Sequence, residues 1–177
     1  MTSQIRPVTA DELLRMPRGQ VRRELVRGVV REFPLNGMRH GAVASRLLHF
    51  VGEHVRASGA GGECLVATGF QLEYDPDTVI APDIAYVTQE RADAAGPGDG
   101  YFPGPPDLAV EVLNEGEQPD EVLSKVHQWI DAGTPMVVIV DPMKCAVSVH
   151  RANGEAQVLT DEDMLPGWRL KVRDFFD

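Results

Sequence analysis

Apolar positions recur along this chain with two different spacings, and each stretch predicts its own element. Thr9-Ala10-Asp11-Glu12 has the form of a capping box, with Thr9 as N-cap and Glu12 three residues on. It opens a short helix expected to run to about Met16 and to stop at Pro17. Arg22 to Phe33 predicts two strand segments meeting at Gly28 as a hairpin or bulge, with Glu24 in the first. After the turn residues Asn36-Gly37, the helical spacing of Ala44, Leu47, Leu48, Val51 and Val55 predicts a helix from about Met38 to Ala57. Ser58-Gly59-Ala60-Gly61-Gly62 ends it. Cys64 to Tyr74 reads as one strand, Asp75-Pro76-Asp77 as a tight turn, and Thr78 to Val87 as a strand pairing back in an antiparallel hairpin.

Arg91 to Pro106 is rich in glycine and proline and reads as a loop of about 15 residues, in which Tyr101 and Phe102 either pack it down, the expectation taken first, or contact a substrate or a partner subunit. Pro106 to Leu113 is the next strand. A helix follows from about Pro119 to Ala132, with Pro119 near its first position, Gly133 as its stop, and Val122, Leu123, Val126, Trp129 and Ile130 as its apolar stripe. Pro135 to Val140 is apolar on both faces, as a central strand is. Cys145 to His150 and Glu155 to Thr160 form a hairpin around Asn153-Gly154, and the tail from Leu165 to Phe176 is expected to fold back on the sheet. The strand–helix–strand run from Glu111 to Val140 calls for a right-handed crossover. Neither a repeat nor a linker divides residues 1–177, so one α/β (α+β) domain is expected.

Two of these strands carry a carboxylate in an otherwise apolar body, Asp83 and Glu111. Burying such a group is costly unless its charge is compensated, by ion pairing or by a divalent cation held between two of them. By the period of two, Val79, Ala81, Asp83, Ala85 and Val87 share one face, and Asp107, Ala109 and Glu111 share another. If the strands are neighbours, the two acids point into one volume, with small alanines leaving room for a ligand. Paired carboxylates of this kind suit Mg²⁺ or Mn²⁺. Lys125, one turn before Trp129, either reaches the mouth of such a site or pairs with Glu121 on a solvated face.

The set Glu24-Leu25-Val26-Arg27-Gly28, His40, Pro82-Asp83-Ile84, Pro106 to Leu113, Lys125, Gly133 and Val138 to Pro142 resembles, in order, the Uma-type family of restriction-endonuclease-like proteins. The resemblance implies the PD-(D/E)XK nuclease fold, a central mixed β-sheet flanked by helices. It also implies a Mg²⁺- or Mn²⁺-dependent endonuclease acting on nucleic acid, DNA above all, and a homodimer. Asp83 and Glu111 become metal ligands, the carbonyl of Val112 a third, and Glu24 an additional early acid. The motif expects lysine two residues after the acid, where Leu113 stands, so Lys125 would supply the ammonium from the following helix. That departure keeps a second reading open: a non-catalytic interaction or regulatory module of the same fold.

Composition modifies this picture in three places. A net charge of −10 argues against indiscriminate charge-driven binding to nucleic acid, without excluding an acidic metal site. Cys64 and Cys145 stand alone and read as reduced thiols of a cytoplasmic protein, and no apolar run is long enough to span a bilayer. The five histidines lack zinc spacing; His40, at a helix start, either lines the site or, as is expected first, caps or packs, and no serine sits in a nucleophile elbow. Asp75, Asp77 and Asp107 are expected to be surface charge, and Asp161-Glu162-Asp163 a solvated turn.

Overall fold

Two β-sheets share this chain because its strands change sheet twice in mid-run. The computed structural model describes residues 6–17, 19–163 and 171–176. The strands are β1 (Arg22–Val26), β2 (Val29–Phe33), β3 (Glu63–Val66), β4 (Phe70–Glu73), β5 (Thr78–Ile80), β6 (Ile84–Val87), β7 (Phe102–Pro103), β8 (Leu108–Val112), β9 (Met136–Asp141), β10 (Ala146–Arg151) and β11 (Ala156–Thr160). The helices are α1 (Ala10–Arg15), α2 (Met38–Ser58), α3 (Gln89–Ala95) and α4 (Pro119–Asp131), with a 3-10 turn at Val172–Phe175. One sheet has the order β2-β1-β5-β4-β7, the other β11-β10-β9-β8-β6-β3. Both are mixed, through the parallel pairs β4–β7 and β8–β9.

The expected strand from Cys64 to Tyr74 is therefore two strands, β3 in the larger sheet and β4 in the smaller. The expected strand from Thr78 to Val87 likewise splits into β5 and β6. β4 pairs with β5, and β3 with β6, so the antiparallel hairpin survives as a ribbon whose two halves belong to different sheets. The return leg breaks at Ala81-Pro82-Asp83, where proline removes a ladder donor. A single face running from Val79 to Val87 consequently does not form. Val79 lies in the cluster under α1, while Ala85 and Val87 lie under α4.

The Arg91–Pro106 region is less loop-like than its glycines and prolines suggest, because it holds the end of α3 and all of β7. Phe102 pairs with Phe70 across β4–β7, and Tyr101 packs with the α1 cluster, so both aromatics hold this segment down. Of the expected C-terminal fold-back, Leu165 to Leu170 lies outside the described residues. Val172 and Phe175 are buried against the core of the larger sheet.

The larger sheet is covered on both faces. Val43, Leu47 and Val51 of α2 pack on Leu108, Val110, Val112, Val138 and Val140. On the opposite face Val126 and Trp129 of α4 meet Ala85, Ala109, Val137 and Ile139, joined by Phe70 and Ile80 from the smaller sheet. The alternation within β8 and β9 thus places their residues in two cores, the signature of central strands. α1 closes the smaller sheet through Leu13 against Leu25 and Val79. Its capping box is present, with Thr9 accepting from Glu12 N–H and Glu12 accepting from Thr9 N–H. Among the described residues no helix is long and apolar enough to cross a membrane.

Candidate functional site

β6 and β8 are neighbours, in the register Ile84↔Val110. Extending that register would set Val112 against Pro82, but the chain has already turned away toward the smaller sheet. The Val112 amide is left without a ladder partner, and the side chain of Asp83 takes its place, accepting from Val112 N–H at 2.8 Å. His40, in the first turn of α2, holds the same oxygen through Nε2 at 3.1 Å. Asn36 reaches the other carboxylate oxygen at 3.5 Å. Asp83 is thus fixed on four sides, the fourth being Arg22, whose Nη1 lies 3.6 Å from Oδ1.

Glu111 sits one residue from this contact, on the α4 face of β8. Trp129 donates its indole N–H to Oε1 at 2.9 Å, and the ammonium of Lys125 lies 3.9 Å from Oε2. Lys125 and Trp129 are one helical turn apart, so α4 presents both to the same carboxylate. The expected alternative partner of Lys125, Glu121, is instead engaged in capping the helix at Gln118. Lys125 pairs with Glu117 at 3.5 Å. Leu113, two residues after the acid, packs into the apolar cluster beneath α4.

Glu24 enters from β1. It stands opposite Arg31 of β2, and Arg22, two residues earlier on the same face, lies 3.6 Å from its Oε1. Arg22 therefore lies between Glu24 and Asp83, with its guanidinium over the Phe33 ring at 5.2 Å and its Nε buried without a hydrogen-bond partner.

Glu24, Asp83 and Glu111 are 9%, 7% and 4% exposed, so three carboxylates are buried at one end of β8. The cations beside them stand 3.6–3.9 Å away, neutralising charge without hydrogen-bonding it. Electrostatics registers the shortfall. Burial pushes the Glu111 carboxyl up to about 8, with Asp83 and Glu24 adding repulsion that Lys125 and Trp129 offset only in part. Burial also raises Glu24 against the pull of Arg22.

Of the residues singled out from sequence, Asp83 meets the Val112 amide, Glu111 meets Lys125, the two acids repel each other across that join, and Glu24 is linked to Asp83 through Arg22. Among the described residues, no three side chains of the His, Cys, Asp and Glu types form a ready metal cage. The alanines expected to leave room, Ala81, Ala85 and Ala109, are packed in the core. His40 touches Asp83 in addition to starting a helix, and Asn36 does more than turn the chain. Arg22 and Trp129 were legible only as a strand arginine at i−2 from Glu24 and a core aromatic at i+4 from Lys125. Asp107 and Asp77 are not simple surface charge: Asp107 accepts from Thr88 N–H and Arg91, and Asp77 from Ala10 N–H. Glu162, expected in a solvated turn, pairs with Lys171 and Arg173. Cys64 and Cys145 are free thiols.

The mixed α/β architecture, with helices packed on both faces of the larger sheet, is shared with a solved structure. A crystal structure described as a putative nuclease belonging to DUF820 from Anabaena variabilis superposes with a TM-score of 0.78, covering 96% of this chain and 98% of that one at 21% identity. The chain belongs to the Uma2 family, described as "Putative restriction endonuclease", whose model matches residues 10–177. No curated protein matches the sequence.

Proposed function

We propose that this protein is a divalent-cation-dependent phosphodiesterase cleaving DNA at the buried acids. The observation that carries the reading is geometric: Glu24, Asp83 and Glu111 are three carboxylates buried together at the end of a central strand, with Arg22 and Lys125 as the cations beside them at 3.6–3.9 Å. Oxygen donors short of positive charge suit Mg²⁺ or Mn²⁺, and Mg²⁺ sites commonly use only two carboxylates, completed by water and substrate phosphate. Asp83 and Glu111 would hold the ion with the Val112 carbonyl, and Glu24 would stand nearby. When bound, such an ion polarises the scissile phosphate and lowers the pKa of an attacking water.

The chain's own groups prepare that chemistry. The Val112 amide and His40 fix the orientation of Asp83, and the Trp129 indole fixes Glu111 through one oxygen. Lys125, about a quarter exposed at the edge of the cluster, would orient the nucleophilic water or meet charge developing on the phosphate. It takes the part of the lysine missing at Leu113.

The test is cleavage of supercoiled plasmid, single-stranded DNA and RNA with Mg²⁺ and with Mn²⁺. We expect DNA cleavage that chelator abolishes, and a fall of roughly 100-fold or more in Glu111→Gln and in Lys125→Met. Cleavage undiminished in Glu111→Gln, or none with any metal, would remove the assignment. A second reading, a non-catalytic module, draws on Arg22, which already neutralises Glu24 and Asp83 from within. It predicts no cation uptake and no cleavage.

A further inference from the structure

The net charge of −10 hides a division along the chain. Residues 1–50 hold nine arginines against four carboxylates, a balance of +5, while residues 51–177 hold eight basic residues against 23 acidic ones, a balance of −15. The positive part contains β1, β2 and the start of α2, the elements that bring Glu24 and His40 to the site.

Within it, several arginines are already occupied. Arg6 pairs with Glu12, Arg15 with Asp11, Arg23 with Glu32 and Arg27 with Glu73. Arg31 and Arg39 differ. Both are exposed, and among the described residues neither lies within ion-pair distance of a carboxylate; Arg39 meets only the thioether of Met143, at 2.8 Å. Arg31 stands directly across from Glu24, and Arg39 precedes His40, which touches Asp83. The two therefore bracket the acids. The connector between them passes over the site, where Asn36 reaches toward Asp83 and receives a hydrogen bond from Asn114 at 3.1 Å. From this segment Leu35 and Met38 project outward, 69% and 92% exposed, with Met38 the most exposed of the large apolar side chains among the described residues.

Arg31 attracts the Glu24 charge less than Arg22 does, and Arg39 faces no carboxylate at ion-pair distance among the described residues, so the close cations of the acids are Arg22 and Lys125. Two apolar side chains held in solvent between those arginines add nothing to the core. We infer that the segment Arg31–Arg39 is a DNA-gripping arm. Arg31 and Arg39 hold phosphates of a duplex on either side of the acid cluster, and Leu35 and Met38 enter the groove between them. This is the pairing of phosphate contacts with apolar groove contacts that duplex binders use. The inference rests on the nuclease reading, to which it adds the element that positions substrate. It also accounts for an acidic protein approaching a polyanion: only one face need be basic, and the rest repels non-productive encounters.

The test is fluorescence anisotropy of a labelled DNA duplex titrated with the full chain in EDTA, over a range of salt concentrations. Arg31→Gln/Arg39→Gln is compared with Leu35→Ser/Met38→Ser and with the control Arg56→Gln. Arg56 lies on α2 about 25 Å further along the helix axis. Each lost phosphate contact should lower the slope of log K against log salt by about 0.9, so the double arginine variant should lose nearly 2 in slope and roughly 50-fold in affinity at about 0.1 M salt. The apolar variant should lose about tenfold with its slope unchanged, and Arg56→Gln should match wild type. A wild type that binds duplex while the double arginine variant keeps its slope and affinity overturns the arm and leaves the nuclease reading standing. A wild type that binds no DNA at any salt overturns both. A stronger loss for single-stranded DNA or RNA than for duplex overturns the groove assignment.

Discussion

Replacing Glu111 by glutamine in the metal-free protein should change how stability depends on pH. The ordinary value of such a carboxyl is 4.5, and in the folded chain burial raises it to about 8. Because the folded-state value lies above the unfolded one, the stabilising contribution is complete below about pH 4.5 and is lost as pH rises toward about 8. A gap of roughly 3.5 pH units at about 1.4 kcal/mol each gives a loss of about 5 kcal/mol across that window. The glutamine side chain keeps an oxygen for the Trp129 indole but cannot ionise, so the variant does not suffer this loss. Urea denaturation in EDTA at intervals from about pH 4.5 to 9 should therefore show the two proteins close at the acid end, with Glu111→Gln progressively the more stable, by several kcal/mol at about pH 8.5. The groups facing Glu111, namely Lys125, Asp83, Glu24 and Trp129, are common to both proteins and largely cancel in the difference. Parallel curves across the whole range would refute the claim that Glu111 is buried short of positive charge.

Three further outcomes follow from the same contacts. Trp129→Phe keeps most of the ring volume against Phe70 but withdraws the donor from a buried carboxyl group, and should cost about 1–3 kcal/mol in urea denaturation at about pH 7. Asp83→Ala leaves the Val112 amide buried without an acceptor, so it should lose about 1–3 kcal/mol even in EDTA, with Asp83→Asn recovering part of that. Gly62 has φ +96°, and a Cβ there would lie 2.3 Å from the Val87 carbonyl, so Gly62→Ala should push β3 from β6 and lower the melting temperature by several degrees.

Local signals in the sequence located the elements that depend on local physics. The Thr9/Glu12 box, the glycine between β1 and β2, the stripe of α4 and the two-faced apolar run of β9 all appear where their patterns place them. The division into two sheets was not legible in this way. A period of two says which residues share a face but not which sheet a strand joins, and the Thr78–Val87 run is apolar almost throughout. Pro82 was the available warning, since a proline in mid-strand argues against a continuous central strand. α3 was hidden in a region read as loop, although Thr88 before Gln89-Glu90-Arg91 and the alanines after them favour a helix. At the site, Asp83, Glu111 and Lys125 were legible because charge in an apolar stretch stands out. The roles of Arg22 and Trp129 were not, because their partners are 61 and 18 residues away in sequence and only the folded sheet supplies them.

The central claim is that Asp83 and Glu111 together form a cation site, and the most direct measurement is calorimetric titration of Mn²⁺ into wild type, Asp83→Ala and Glu111→Gln at about pH 7.5. The account predicts saturable binding by wild type, lost or weakened at least roughly tenfold in each variant. Equal affinities in all three proteins would contradict it.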